Sequence, residues 1–145
     1  MRLNELETYL NQLLDIAHFR DYCPNGLQVE GRSEVGKLVS GVTASFDLLQ
    51  AAVALGADAI LVHHGYFWRG EDQCLVNMKR RRIGLLMAHD VSLLAYHLPL
   101  DAHAELGNNA QFARRMGFVE TGRFGEQNMA MQGTLLSQEI GRAHV

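Results

Sequence analysis

The sequence predicts an α/β protein: a three-layer fold in which a mostly parallel sheet is flanked by helices. Three observations predict it. Short apolar runs alternate with amphipathic segments along residues 37–96, the last two apolar runs are nearly continuous, and both of these lead into histidine. Such alternation is the pattern of βαβ crossovers, whose connections bring parallel strands into one sheet with helices packed on its faces.

Taking the elements in order, Leu3, Leu6, Leu10, Leu13, Leu14 and Ala17 recur at helical spacing. They predict an amphipathic helix over 4–18, with Asn4 as its cap and Glu7 three residues on. Residues 21–31 carry Pro24 and the Asn25-Gly26 pair, which is turn chemistry, so a loop is expected there. Lys37–Val42 reads as a short strand, and Ser45–Leu55 as a helix through Phe46, Leu49, Ala52 and Val53, closed by Gly56. Ala57–Val62 is the kind of strand that is buried on both faces. Lys79–His89 returns to helical spacing through Ile83, Leu86 and Met87, and Val91–Tyr96 is the next strand. Beyond it, Asn108 or Asn109 is expected to cap a short helix reaching Met116, with Gly117 as its stop, and residues 118–136 suggest weak strands or a hairpin.

Composition narrows the class of function. With 145 residues, 48% hydrophobic and 20% charged, the chain can build one domain with a core, which excludes a disordered protein. A balance of 13 Lys+Arg against 16 Asp+Glu argues against nucleic acid as a partner; Lys79-Arg80-Arg81-Arg82 could touch a single phosphate, but is expected to be a solvated helix start. Cys23 and Cys74 form no CxxC pair, so they suggest neither a disulfide framework nor a thiolate zinc site, and a reducing cytoplasm fits them best. The N-terminus is too acidic for a signal peptide, and no apolar stretch approaches the roughly 18 residues of a membrane span. A cytoplasmic protein with no membrane partner is expected.

The chemistry lies in the histidines. In open parallel sheets ligands collect beyond the carboxyl ends of the strands, where His63, His64 and His97 fall. Asp101 follows His97 by four residues and can supply a carboxylate from the neighbouring strand end. Imidazole nitrogen and carboxylate oxygen suit zinc, iron, manganese, nickel or cobalt. Adjacent strand residues point to opposite faces, so His63 and His64 are expected to serve different ions of a close pair unless Gly65 turns the chain sharply. His97 is expected to face the reacting group or to support a ligand.

Each residue also has a plainer structural reading. Histidines in an apolar setting can be hydrogen-bonded core residues, and Asp101 can cap a turn. His18, His89 and His103 are assigned no chemistry. A metal pair would suit hydrolysis of a nucleotide or other small molecule. No GxxxxGK loop is present, so a nucleotide would depend on strand-end groups such as Asn25, Lys79 or Arg80. The alternative is a metal-binding regulatory module without catalysis.

Five segments carry a resemblance to a known family. They are Tyr22-Cys23-Pro24-Asn25-Gly26-Leu27-Gln28-Val29-Glu30-Gly31, Gly41-Val42-Thr43-Ala44-Ser45, Val62-His63-His64-Gly65-Tyr66-Phe67-Trp68, His97-Leu98-Pro99-Leu100-Asp101 and Leu106-Gly107-Asn108-Asn109. In this order they resemble the Nif-three-like proteins, labelled GTP cyclohydrolase 1 type 2 homologues, over residues 1 to about 125.

The resemblance implies an α/β fold of two lobes, two divalent metal ions per full-length subunit, and a homohexameric ring acting on a small-molecule substrate. It makes His63 and Asp101 ligands of one ion and His64 a ligand of the other; His97, from its own place after the strand, is the candidate catalytic group near the substrate. The family's further ligands, a His and a Glu spaced H-x-x-x-E, belong to a later segment. Residues 1–137 are therefore read as the N-terminal lobe. Residues 138–145 are expected to be a non-native tail, because Ile140-Gly141-Arg142-Ala143-His144-Val145 matches a reading frame of a common sequencing adapter. With about three ligands needed per ion, the chain as it stands is expected to bind metal weakly.

Overall fold

A computed structural model describes residues 1–135, and the expected tail at 138–145 lies outside the described residues. The chain divides into two compact units, Met1–His97 and the residues from Leu98 onward.

The first unit holds α1 (Leu3–Leu13), β1 (Gly26–Val29), β2 (Leu38–Thr43), α2 (Phe46–Ala54), β3 (Ala59–His64), α3 (Asn77–Ala88) and β4 (Ser92–Ala95). Its sheet has the order β1-β4-β3-β2. Strands β2, β3 and β4 run parallel and β1 pairs antiparallel with β4, so the sheet is mixed, with three parallel strands and one antiparallel edge. The two central strands are those whose sequences are nearly all apolar. Ile60, Val62, Leu93 and Ala95 join Leu49, Ala52, Ile83 and Leu86 in one core cluster, which fits helices covering a parallel sheet.

Several boundaries differ from those the periodicity predicts. The first helix ends at Leu13 rather than at residue 18, because Asp15 takes a left-handed conformation at φ 50° and only a 3-10 turn, Ile16–His18, follows. Its start is capped by the Arg2 amide donating to the Glu5 carboxylate at 3.0 Å, not by Asn4, and Glu7 instead accepts from the Leu27 amide at 3.1 Å. The expected loop at 21–31 contains β1. Gly26 and Leu27 pair with Ala95 and Leu94, and this edge pairing outweighs the local turn signal of Asn25-Gly26. Ser45 caps α2 by accepting from the Leu48 amide at 3.2 Å.

Lys79 corrects the expectation of a solvated helix start. It is buried, its Nζ lies 3.3 Å from the Glu71 carboxylate, it donates to the Asp72 carbonyl, and it sits 5.6 Å from the Phe67 ring centre. Arg80 and Arg81 remain exposed.

The second unit contains α4 (Leu98–Ala102), α5 (Asn108–Arg115), β5 (Phe118–Phe124) and β6 (Ala130–Leu135). Of the two readings of 118–136, weak strands or a hairpin, the described residues up to 135 form the hairpin, the antiparallel β5–β6 pair. Gly107, not an asparagine, stands at the start of α5. Asn108 donates to Asp101 at 2.8 Å and Asn109 to the Met129 carbonyl at 2.9 Å. Among the described residues, no helix is long and apolar enough to cross a membrane.

Candidate metal centre

Strand β3 runs through both of its histidines instead of stopping before them. Val62 is the last residue of β3 paired to β4, while the ladder to β2 continues to Thr43 opposite His64. Past Val62 the strand is therefore held on one side only, and a twisting strand end can swing successive side chains toward each other. The ring centres of His63 and His64 are 4.4 Å apart, inclined by 48°. The expectation that they diverge to opposite faces does not describe this end of the sheet.

His97 follows β4 by two residues and completes the group. Its ring centre lies 5.0 Å from that of His63 and 5.8 Å from that of His64. One donor atom from each of the three rings lies within 4.8 Å of the others. Ligand atoms about a common ion stand roughly 3–4 Å apart given bonds of about 2 Å, so small side-chain shifts suffice to bring these three onto one cation.

The hydrogen bonds orient the rings. His63 Nδ1 lies 3.1 Å from the Tyr96 carbonyl oxygen, which can only accept, so Nδ1 carries the proton and Nε2 the lone pair. His97 Nδ1 lies 2.8 Å from an Asp21 carboxylate oxygen and donates to it, with the same consequence. His64 Nδ1 meets the Thr43 hydroxyl at 3.1 Å. A ring that donates one nitrogen to a carbonyl or carboxylate and offers the other is the arrangement metal-ligating histidines adopt, because it sets tautomer and orientation together. The residues present therefore fit a divalent ion of the nitrogen- and oxygen-binding class.

The loop 21–25 is built around Asp21. Its carboxylate also accepts from the Tyr22 amide at 2.6 Å and from Asn25 Nδ2 at 2.9 Å, and Asn25 Oδ1 in turn accepts from the His97 amide at 2.7 Å. Gln28 fastens the loop after β3, accepting from the Tyr66 amide at 2.7 Å and donating to the Tyr66 and Pro24 carbonyls. Trp68 stands edge-on to His97 with centres 4.9 Å apart, its Nε1 donating to the Gly65 carbonyl at 3.2 Å. Gly65 is needed for space: a Cβ there would come within 2.2 Å of Gln28 Oε1 and 2.6 Å of Ala95 Cβ.

One thiol and two phenols complete the electrostatic picture. Burial, reinforced by the Asp21 charge, pushes the Cys23 thiol up to about 12. Burial likewise holds Tyr66 up to about 12 and raises Tyr96, whose hydroxyl donates to Asn11 at 2.7 Å. These groups remain protonated at neutral pH, the two phenols donating to Ala44 and Asn11 and the thiol packed in the interior.

Of the residues singled out in the sequence, His63, His64 and His97 are brought together. Asp101 lies in the second unit on α4, where its carboxylate accepts from Asn108. Sequence reasoning missed Asp21 as the partner of His97, Trp68 as the ring beside it, and Cys23 as a neighbour. The signal for Asp21 was weak: an acidic residue four positions before Asn25 at the head of a turn segment.

A mixed α/β sheet that gathers imidazoles at the carboxyl ends of its parallel strands defines a protein with a candidate metal site at the sheet edge. Comparison with known proteins narrows the class. Residues 1–143 match the model of the Duf34/NIF3 (NGG1p interacting factor 3) family, and the chain belongs to that family. It is 59% identical over 120 residues to the GTP cyclohydrolase 1 type 2 homolog of Pseudomonas aeruginosa, covering 83% of this chain and 48% of that protein. It is 51% identical over 146 residues to the protein of that name from Escherichia coli strain K12, covering 97% of this chain and 59% of the relative. The solved structure of protein ybgI superposes with a TM-score of 0.84 at 55% identity, over 85% of this chain and 50% of that one. The chain thus spans about half the length of the relatives it matches.

Proposed function

We propose that the whole protein is a metal-dependent hydrolase of a nucleotide or similar small molecule, and that the chain described here carries the imidazole half of its metal centre. The observation that carries this reading is the tautomer of two rings. His63 and His97 each spend Nδ1 on a protein acceptor, Tyr96 carbonyl and Asp21 carboxylate, which leaves Nε2 as the lone-pair nitrogen in both.

In this reading His63 and His64 hold divalent ions of the zinc, iron, manganese, nickel or cobalt class, and Asp101 supplies a carboxylate, a role that rests on sequence alone. An ion held there would polarise a carbonyl or phosphoryl oxygen of the substrate and make a bound water more acidic. The chain's own residues do the rest. Asp21 sets the ring of His97 beside the reacting centre, Thr43 sets His64, and Trp68 shields the flank of His97 from solvent. The name shared by the relatives supports a cyclohydrolase-like reaction by association, since a fold does not transmit an activity.

The test is elemental analysis of gently purified full-length protein, followed by nucleotide turnover. Bound first-row metal and hydrolysis, both lost in His63→Ala with the fold intact, are the expected results. Turnover that persists in His63→Ala, or protein that never acquires metal, overturns the reading.

A further inference from the structure

We propose that Asp21, Cys23 and His97 form a second cation site, one built around a thiolate, that shares His97 with the imidazole group and is suited to zinc, cadmium or another sulfur-seeking ion. A ligand atom from each of the three residues lies within 4.8 Å of the others. The inference stands on these residues whether or not the imidazole group binds metal.

The site is buried and braced. Cys23 is 8% exposed, and the side chains of Asp21 and His97 are 3% and 16% exposed. Asp21 and Cys23 project from a single turn that is tied down at several points. The Tyr22 carbonyl accepts from the Arg69 amide at 2.7 Å, the Pro24 carbonyl accepts from Gln28 at 2.9 Å, and Asn25 bonds both Asp21 and the His97 backbone. A D-x-C pair on a rigid turn facing a strand-end imidazole gives three ligands, with the fourth tetrahedral position left to water or substrate.

Charge favours this set. A carboxylate and a thiolate cancel the double charge of a divalent ion in a setting where an uncompensated ion is costly, whereas three neutral imidazoles cancel none of it. Sulfur also selects the metal: magnesium and calcium prefer oxygen, while zinc, cadmium and copper(I) accept thiolate. Neither cysteine belongs to a CxxC pair, the usual sequence mark of a thiolate site. The fold supplies the partners from residues 21 and 97 instead.

Sharing His97 makes the two sites exclusive. Offering Nε2 to His63 and His64 requires the proton on Nδ1, where the Asp21 contact holds it now. Binding an ion beside Asp21 and Cys23 through Nδ1 moves that proton to Nε2. The ring keeps a single proton, and the Cys23 Sγ proton leaves to solvent as the metal–sulfur bond forms.

The experiment is a cobalt(II) titration of the chain carrying Cys74→Ser, kept reduced with a phosphine and followed in the near-ultraviolet, where thiolate-to-cobalt charge transfer absorbs. We expect the band to grow to saturation at a single ion per chain, to survive His63→Ala, and to vanish in Cys23→Ser. Cobalt that binds without the band, as shown by its visible bands alone, overturns the proposal, as does a band that persists in Cys23→Ser. Should Cys23→Ser fail to fold by circular dichroism, Asp21→Asn decides: it must weaken the band's titration roughly ten-fold or more, and an unchanged titration overturns the site. His63→Ala tests the imidazole reading separately, since only that site uses His63.

Discussion

His97 donates its Nδ1 proton to Asp21 across 2.8 Å, and the accepting side chain is 3% exposed. A buried carboxylate holding an imidazole stiffens that ring and raises the basicity of its other nitrogen. Asp21→Asn keeps the shape and removes the charge. It should lower zinc affinity of the protein by about 10–100-fold with the far-ultraviolet circular dichroism unchanged. Isothermal titration reads the outcome, and equal affinities in the two proteins would show that Asp21 neither orients His97 nor ligates the ion.

Asp58 secures the opposite end of β3. Its carboxylate accepts from the Lys37 amide at 2.8 Å, the Gly36 amide at 2.9 Å and Arg32 Nη1 at 2.8 Å. The backbone amides of Lys37 and Gly36, with Arg32 adding to them, hold its carboxyl below the ordinary carboxylate value. A depressed folded-state pKa means the stabilisation is complete above the unfolded value of about 3.9 and drains away as pH falls through the folded one. Asp58→Asn should therefore cost about 1–2 kcal/mol at neutral pH, and less as the medium is made acid. Urea melts at several pH values check this, and a cost independent of pH counts against it.

The two thiols should behave differently toward alkylation. Cys74 is exposed, whereas Cys23 is buried and its thiol is pushed up to about 12. Since the thiolate is the nucleophile, iodoacetamide at neutral pH should label Cys74 first and leave Cys23 largely untouched until the fold opens. Peptide mass spectrometry over a time course distinguishes them, and equal labelling rates would contradict the burial of Cys23.

Two glycines should respond with opposite signs. A methyl at Gly65 collides with Gln28 and with Ala95 Cβ, the latter fixed in β4, so Gly65→Ala should destabilise by about 1–3 kcal/mol. Gly84 lies inside α3 with nothing within 4 Å of an added Cβ. Gly84→Ala should stabilise by about 0.5–1 kcal/mol, because alanine loses less backbone freedom in a helix. Thermal melts of both variants suffice, and a stabilising Gly65→Ala would mean that the loop after β3 has room the structure does not give it.

What could be read directly from the chain were the features set by local periodicity and burial. The continuous apolar runs around Ile60 and Leu93 determine two central parallel strands. The spacing of Leu49 and Ala52, or of Ile83 and Leu86, determines the helices that cover them, because a 3.6-residue repeat leaves one face able to leave water. Histidine at the ends of those runs was enough to locate the candidate site. Tertiary structure decided the remainder. Residues 26–29 are a strand only because β4 offers an edge, and Lys79 is buried only because Glu71, Asp72 and Phe67 receive it. The convergence of neighbouring His63 and His64, and the meeting of Asp21 and Cys23 with His97 some seventy-five residues away, have no local signature. They arise where a strand end is released on one side and a distant turn packs against it, and contacts of that sequence separation exist only once the sheet has assembled.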